Sequence, residues 1–267
     1  MYPLRQEMSN HTSDDAKQRF DSIESAVEAF GMLPLCSRLL MLSRSTTTYS
    51  LKCPDPFITA AGDFVIVLDS TSRENEGDLI IAASALTPTK AAFMIHHSSG
   101  YLCAPMPASR ADALDLPPMI PFSENADPNR TAYTITVDAD VEGITTGISA
   151  HDRSLTCNLL ADPKTRKQQL RRPGHVVPLR AVDGGVRARQ GHTEAAVELC
   201  KLAKLEPVGV IAEIVEEGET IAGAAEMTGT AMMRRDGCMK FGATYGIKVI
   251  TIEDLVAYVG KHAIPKA

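Results

Sequence analysis

Between two apolar runs the sequence carries Arg73-Glu74-Asn75-Glu76-Gly77-Asp78, three carboxylates, a guanidinium and a carboxamide within six residues. Carboxylates crowded this closely repel one another, and a turn that only solubilises has no use for the crowding. A divalent cation, or a substrate held through several hydroxyl contacts, makes it favourable. Taken alone, the stretch is equally an acidic hairpin tip in water. A second chemical stretch, Arg189-Gln190-Gly191-His192-Thr193-Glu194, lies on a turn that opens a helix. Backbone N–H groups and the helix dipole there favour an anion, and Gly191 permits close approach. Arg189 adds a planar fork suited to phosphate, and Thr193 a hydroxyl. His192 falls in the first helical turn, where an imidazolium is disfavoured and a neutral, metal-binding ring is not. A helix cap with an incidental histidine fits the same residues.

Three single residues add to these stretches. Glu213 interrupts the apolar run 208–215, and a carboxylate buried there without a partner costs several kcal/mol. It therefore has a partner or projects into a site. His175 follows Pro173-Gly174 at an element boundary, where a site histidine and a buried structural one are both at home. Cys103, after His97-Ser98-Ser99-Gly100, reads first as a core thiol.

The elements that must position these groups follow from periodicity. Apolar, β-branched runs predict strands over 64–68 and 79–83, flanking the acidic turn. Phe20, Ile23, Val27 and Phe30 recur at helical spacing, with Asp21 and Glu24 placed to cap. Further helices are expected over 88–97, 109–116, 149–161, 191–205, 236–245 and 252–259, and strands over 101–104, 133–137, 176–182, 208–215 and 248–250. The stretch 166–174 is basic and reads as mobile. Irregular alternation of strands and helices predicts an α+β fold, a single domain with a mixed twisted sheet flanked by helices. Residues 1–19 read as a flexible tail and 20–267 as the domain, interrupted at 31–59 by an aperiodic segment with Pro34, Pro54, Pro56 and a Ser/Thr cluster.

Composition narrows the function classes. A net charge of −6 and the absence of Trp argue against a nucleic-acid face. Six cysteines without a C-x-x-C pair form neither a disulfide framework nor a zinc site. Reduced thiols in the cytoplasm are the expectation. The longest apolar stretch, 32–42, is broken by Pro34, Ser37 and Arg38 and cannot span a bilayer. The first fifteen residues have the form of neither a secretory signal nor a transit peptide.

Taken together, the motifs closely resemble the 3,4-dihydroxy-2-butanone 4-phosphate synthase family of riboflavin biosynthesis. The matching text is 64–83 with its R-E-N-E-G-D core, 97–103, 143–153, 172–175, 189–195, Glu213 and 232–236. The ending looks like the fungal branch. The resemblance implies a three-layer fold and conversion of D-ribulose 5-phosphate to the four-carbon phosphate plus formate. It implies magnesium, with one or two ions, and manganese as a substitute, held by Glu74 and His192. Arg73, Glu74, Asp78, Cys103, Thr146, Arg189, Gln190, Gly191, His192, Thr193 and Glu213 would contact substrate. His175 and Glu213 would be essential for catalysis, with Glu76 and Asp78 as further proton carriers. It also implies a homodimer with sites at the subunit interface. A non-catalytic phosphosugar- or nucleotide-binding protein on the same fold is the alternative. A bifunctional protein that also opens GTP needs a cysteine-ligated zinc, and the spacing for one is lacking. The chain departs from the family pattern twice: Ser70-Thr71-Ser72 stands where further acids are common, and 31–59 is extra. That segment is expected to be a lineage-specific surface loop or translated non-coding sequence.

Overall fold

The computed structural model describes residues 20–31 and 62–262. The expected tail at 1–19 and nearly all of the expected insertion lie outside the described residues. Seven strands form one sheet: β1 (Val65–Leu68), β2 (Gly77–Ala82), β3 (Cys103–Pro107), β4 (Val137–Ala139), β5 (Leu170–Ala181), β6 (Gly209–Glu213) and β7 (Lys248–Thr251). Their order is β4-β5-β3-β6-β2-β1-β7. The pairs β1/β7 and β3/β5 are parallel and the others antiparallel, so the sheet is mixed as expected.

Strand alternation sorts the side chains into two cores. Ile66, Leu68, Leu79 and Ile81 face one layer, with α2 (Pro88–His96), α3 (Ala108–Ala113), α4 (Ala150–Ala161) and α6 (Arg235–Tyr245). Val65, Val67, Ile80 and Ala82 face the other, built from α1 (Ile23–Gly31), α5 (His192–Leu202) and α7 (Ile252–His262). The result is helix, sheet, helix: three layers. Asp78 shares the parity of Ile80, and Glu213 that of Ile211, so both carboxylates point to the α5 side.

Local chemistry moves some boundaries. Asp21 does not cap α1. Its carboxylate accepts from Val249 N and Lys248 Nζ, both at 2.9 Å, and Ser22 Oγ takes the capping bond from Ser25 N instead. The strand expected over 133–137 is β4 at Val137–Ala139, with Tyr133 and Thr134 in isolated bridges. The basic stretch 166–174 is not an irregular loop: a 3-10 turn at Lys167–Gln169 leads into β5, which begins at Leu170 and pairs with β4 through Leu170 and Arg171. Before Val177 this strand is paired on one side only, with β4, and Arg171 stays in water.

The end of α1 bears on the extra segment. Asp63 N donates to Ala29 O at 3.2 Å, and Gly62 takes the left-handed φ of 78°. Counted without the 29 residues of 31–59, Asp63 follows Ala29 by five. The bond is then the 6→1 closure of a Schellman cap with glycine at its left-handed position. Deleting 32–60 keeps this register and keeps Gly31, where a Cβ would lie 2.9 Å from Ala203 Cβ. The deletion is expected to leave turnover and melting temperature about unchanged; an insoluble variant would show that the segment supports the fold.

Candidate active site

The acidic turn is organised by Asp69. Its carboxylate accepts from Glu74 N and Glu76 N at 2.9 Å and from Arg73 Nη1 at 3.0 Å, while Asn75 takes a left-handed φ of 56°. Arg234, in the 232–236 motif, donates to the carbonyls of Glu74 and Asn75 at 2.7 and 2.8 Å. Gly77 and Asp78 belong to β2 rather than to the turn. Asp78 pairs across the strands with Glu213, which is exposed and projects into a cavity rather than into core.

His192 opens α5 and is buried. Its Nε2 lies 3.1 Å from Val67 O, a group that only accepts, so Nε2 carries the proton. In the neutral ring Nδ1 is then a lone pair, facing Asp78 Oδ1 at 3.5 Å and Glu74 Oε2 at 3.8 Å. Burial lowers the His192 pKa and so favours this neutral form. Asp78 Oδ1 is buried without a hydrogen-bond partner. A lone-pair nitrogen and an orphaned carboxylate oxygen turned toward each other are what a cation relieves. The donor set therefore fits magnesium, which keeps several waters and needs few protein ligands.

The acids around this point hold their protons unusually well. Burial, then Glu74, Glu76 and Asp69, push Asp78 well above the ordinary aspartate range. Partial desolvation at the cavity wall raises Glu213, open to the cavity though its side chain is, with Asp78 and Glu74 adding to it; it also raises Glu76, with Glu213 adding. Burial also holds the Cys103 thiol protonated. Asp78 gives a stability prediction with a definite sign. Between the ordinary aspartate pKa and its raised folded value, the folded protein keeps a proton that the unfolded chain has lost, so stability falls as pH rises through that window. Asp78→Asn removes the loss. In EDTA it is expected to melt above the parent at pH 8, by about 2–4 °C per kcal/mol recovered, and the gap should shrink toward pH 4 while turnover is lost. A parent that melts higher at pH 8 would contradict the assignment.

Arg73, Glu74, Asp78, Cys103, Arg189, His192, Thr193 and Glu213 all line one cavity of about 60 Å³, with Tyr101, Thr131 and Tyr133. Gln190, Gly191 and Glu76 adjoin it without lining it. Arg189 is not a free fork. Nη1 donates to buried Glu194 at 2.6 Å, Nε and Nη2 donate to Asn129 O at 3.2 and 3.1 Å, and Nη2 also reaches Thr131 Oγ1 at 3.2 Å. In this arrangement four of the five N–H groups of the guanidinium are spent on the protein, and one N–H of Nη1 is left over. A larger hollow of about 630 Å³ between α1, α2 and the α6–β7 turn is lined by two carboxylates, Glu28 and Asp63, and by no histidine, and its Lys90 pairs with Asp63 at 3.4 Å.

His175 and Thr146 stand apart from the cavity, in a second cluster. His175 N and Nδ1 each lie 2.8 Å from the two oxygens of buried Asp138 on β4. With Nδ1 donating to the carboxylate, Nε2 becomes the proton acceptor that His175 presents. Asp152 gathers the 143–149 loop through Thr145 Oγ1 at 2.6 Å, Gly147 N at 2.9 Å and Thr145 N at 3.1 Å, and those bonds, the Thr145 hydroxyl foremost, hold its pKa far down. At Gly147 a side chain would collide with the Asp138 carboxylate, so glycine lets the loop close on the dyad. Sequence reasoning missed Asp138, Asn129 and Arg234 as individual site residues. Asp138 carried the same signal as Glu213, a carboxylate between apolar strand neighbours.

Carboxyl groups with upward-shifted pKa values gathered around a lone-pair histidine are the equipment of an acid–base enzyme. The chain belongs to the 3,4-dihydroxy-2-butanone 4-phosphate synthase family, whose profile matches residues 58–258, and it is a lyase of riboflavin biosynthesis. It is 56% identical to the 3,4-dihydroxy-2-butanone 4-phosphate synthase of Pyricularia oryzae over 75% of this chain and 85% of that one. To the Saccharomyces cerevisiae synthase it is 52% identical, over 74% and 92%. A crystal structure of a 3,4-dihydroxy-2-butanone 4-phosphate synthase with two magnesium ions superposes with a TM-score of 0.78 at 48% identity, covering 91% of this chain and 98% of that one. Among the described residues no helix is long and apolar enough to cross a membrane.

Proposed function

We propose that the chain converts D-ribulose 5-phosphate to 3,4-dihydroxy-2-butanone 4-phosphate and formate, with Glu74 and His192 as the protein ligands of magnesium. The observation that carries this reading is the His192 Nδ1 lone pair aimed at Glu74 and Asp78. Magnesium, or manganese with its greater tolerance of nitrogen, would supply Lewis-acid stabilisation of charge developing on a substrate oxygen, as one ion or two. The remaining work falls to side chains. Proton removal beside the ketone needs a base; loss of the C1 hydroxyl needs an acid; release of C4 needs a base again. Asp78, Glu213 and Glu76, whose pKa values are shifted upward, are the groups placed to give a proton, each step worth roughly 10²–10⁴-fold when well placed. His175 Nε2 can take one. A protein that merely binds a phosphosugar has no use for three carboxyl groups with upward-shifted pKa values beside a lone-pair histidine.

The two clusters belong together across a homodimer interface. The strand β3 lies between β5 and β6, which separates His175 from Glu213 by two strand spacings, about 10 Å. The His175 ring is also tied to β4, away from the cavity. Tyr101 at the cavity and Ile148 beside Thr146 are each 50% exposed, apolar surface that a second copy would cover. The four described cysteines are free and buried, which suits the cytoplasm. The deciding experiment is formate release from ribulose 5-phosphate by purified protein, with and without magnesium. Absence of formate in both arms would sink the proposal.

A further inference from the structure

Of the two candidate metal ligands, His192 is fixed by a helix and by Val67 O, whereas Glu74 sits on a turn and needs something to aim it. Asn129, in the 121–133 loop, does so: its Nδ2 donates to Glu74 Oε1 at 2.5 Å. The main-chain carbonyl of the same residue takes the two bonds from Arg189 described above. One residue thus joins the acidic turn to the loop that opens α5. The 125–131 loop is shaped by its own bonds. Asp127 N donates to Asn125 Oδ1 at 2.9 Å, Thr131 N to Asp127 Oδ2 at 2.7 Å, and Asn125 Nδ2 to Thr131 O at 3.1 Å. Asn129 therefore meets Glu74 already placed, and little freedom is lost when the contact forms.

We propose that Asn129 is a positioning residue for the metal site: its amide occupies Oε1 of Glu74, so that Oε2, which takes Arg73 Nη1 on one side and faces His192 on the other, is the oxygen turned to the cation. The inference rests on the metal reading above. A neutral amide suits this task because it orients a carboxylate without competing with the cation for its charge, which a second lysine or arginine would do. The side chain acts on Glu74 while the main chain acts on Arg189, so substitution separates the two. Removing the side chain should weaken metal binding and leave the Arg189 contacts in place.

The test is Mn²⁺ binding to the full chain without substrate, followed by electron paramagnetic resonance. Asn129→Ala, and the isosteric Asn129→Leu in case the smaller side chain perturbs the loop, are each expected to weaken Mn²⁺ binding about 10–100-fold with the melting temperature unchanged. Asn129→Gln, which keeps an amide donor, should recover most of the loss. If Ala and Leu bind Mn²⁺ as tightly as the parent while Glu74→Gln loses it, the positioning role is overturned. If Glu74→Gln also binds like the parent, the assignment of Glu74 as ligand falls, and this inference with it.

Discussion

Glu74→Gln and His192→Ala each reduce formate release by on the order of 10³-fold or more, with the fold intact; this is the largest single-residue effect expected. Glu74 contributes a carboxylate whose direction is set from three sides: the main chain by Asp69 and Arg234, Oε1 by Asn129 and Oε2 by Arg73. Glutamine keeps that shape and loses the charge, so the variant isolates the ligand's anionic character. His192 contributes a nitrogen whose tautomer is imposed by Val67 O, and no rotation of a shortened side chain replaces it. Both side chains line the cavity, so Glu74→Gln should melt like the parent, and His192→Ala slightly lower through loss of the bond to Val67 O. Steady-state formate assays at limiting magnesium, alongside thermal melts, check both variants. Near-full activity in either would remove that residue from the metal site.

The layers were legible because strand and helix periods are strong where one face is buried. Ile66/Leu68 against Val65/Val67 is visible in the sequence as a continuous apolar run, and the structure divides it between two cores. Glu213 was legible for the opposite reason, as a charge where the pattern demanded an apolar side chain. Residues 166–174 misled because Lys, Arg, Pro and Gly mark loops in general, yet the end of a strand that is paired on one side only tolerates all four. Asn129 left no mark. It sits in a polar loop whose conformation depends on Asx turns, and its importance comes from contacts 55 and 60 residues away. Asp138 reached the same end by another route. Its apolar neighbours were a signal that went unread, and only tertiary structure supplies His175, 37 residues on, as the reason.

Mixing two dead variants should restore activity, if a second copy completes each site. Glu74→Gln lacks the ligand in the cavity, and His175→Ser lacks the base in the outlying cluster; each homodimer carries the same lesion in both sites. In a mixed dimer built across the interface, one site receives both lesions and the other receives none. With random exchange at equal concentrations half the dimers are mixed, so recovery should reach about one quarter of parental formate release. The geometry favours this outcome because the His175 ring is held by Asp138 on β4, the strand farther from the cavity. Asp138→Asn in place of His175→Ser should complement in the same way, since it removes the partner that keeps the Nε2 lone pair presented. Size-exclusion chromatography of the mixture, with one variant tagged, verifies that exchange took place. Mixed dimers that form and stay inactive would place His175 and Glu74 in the same subunit's site, with the intervening strand crossed by movement of the 97–103 segment instead.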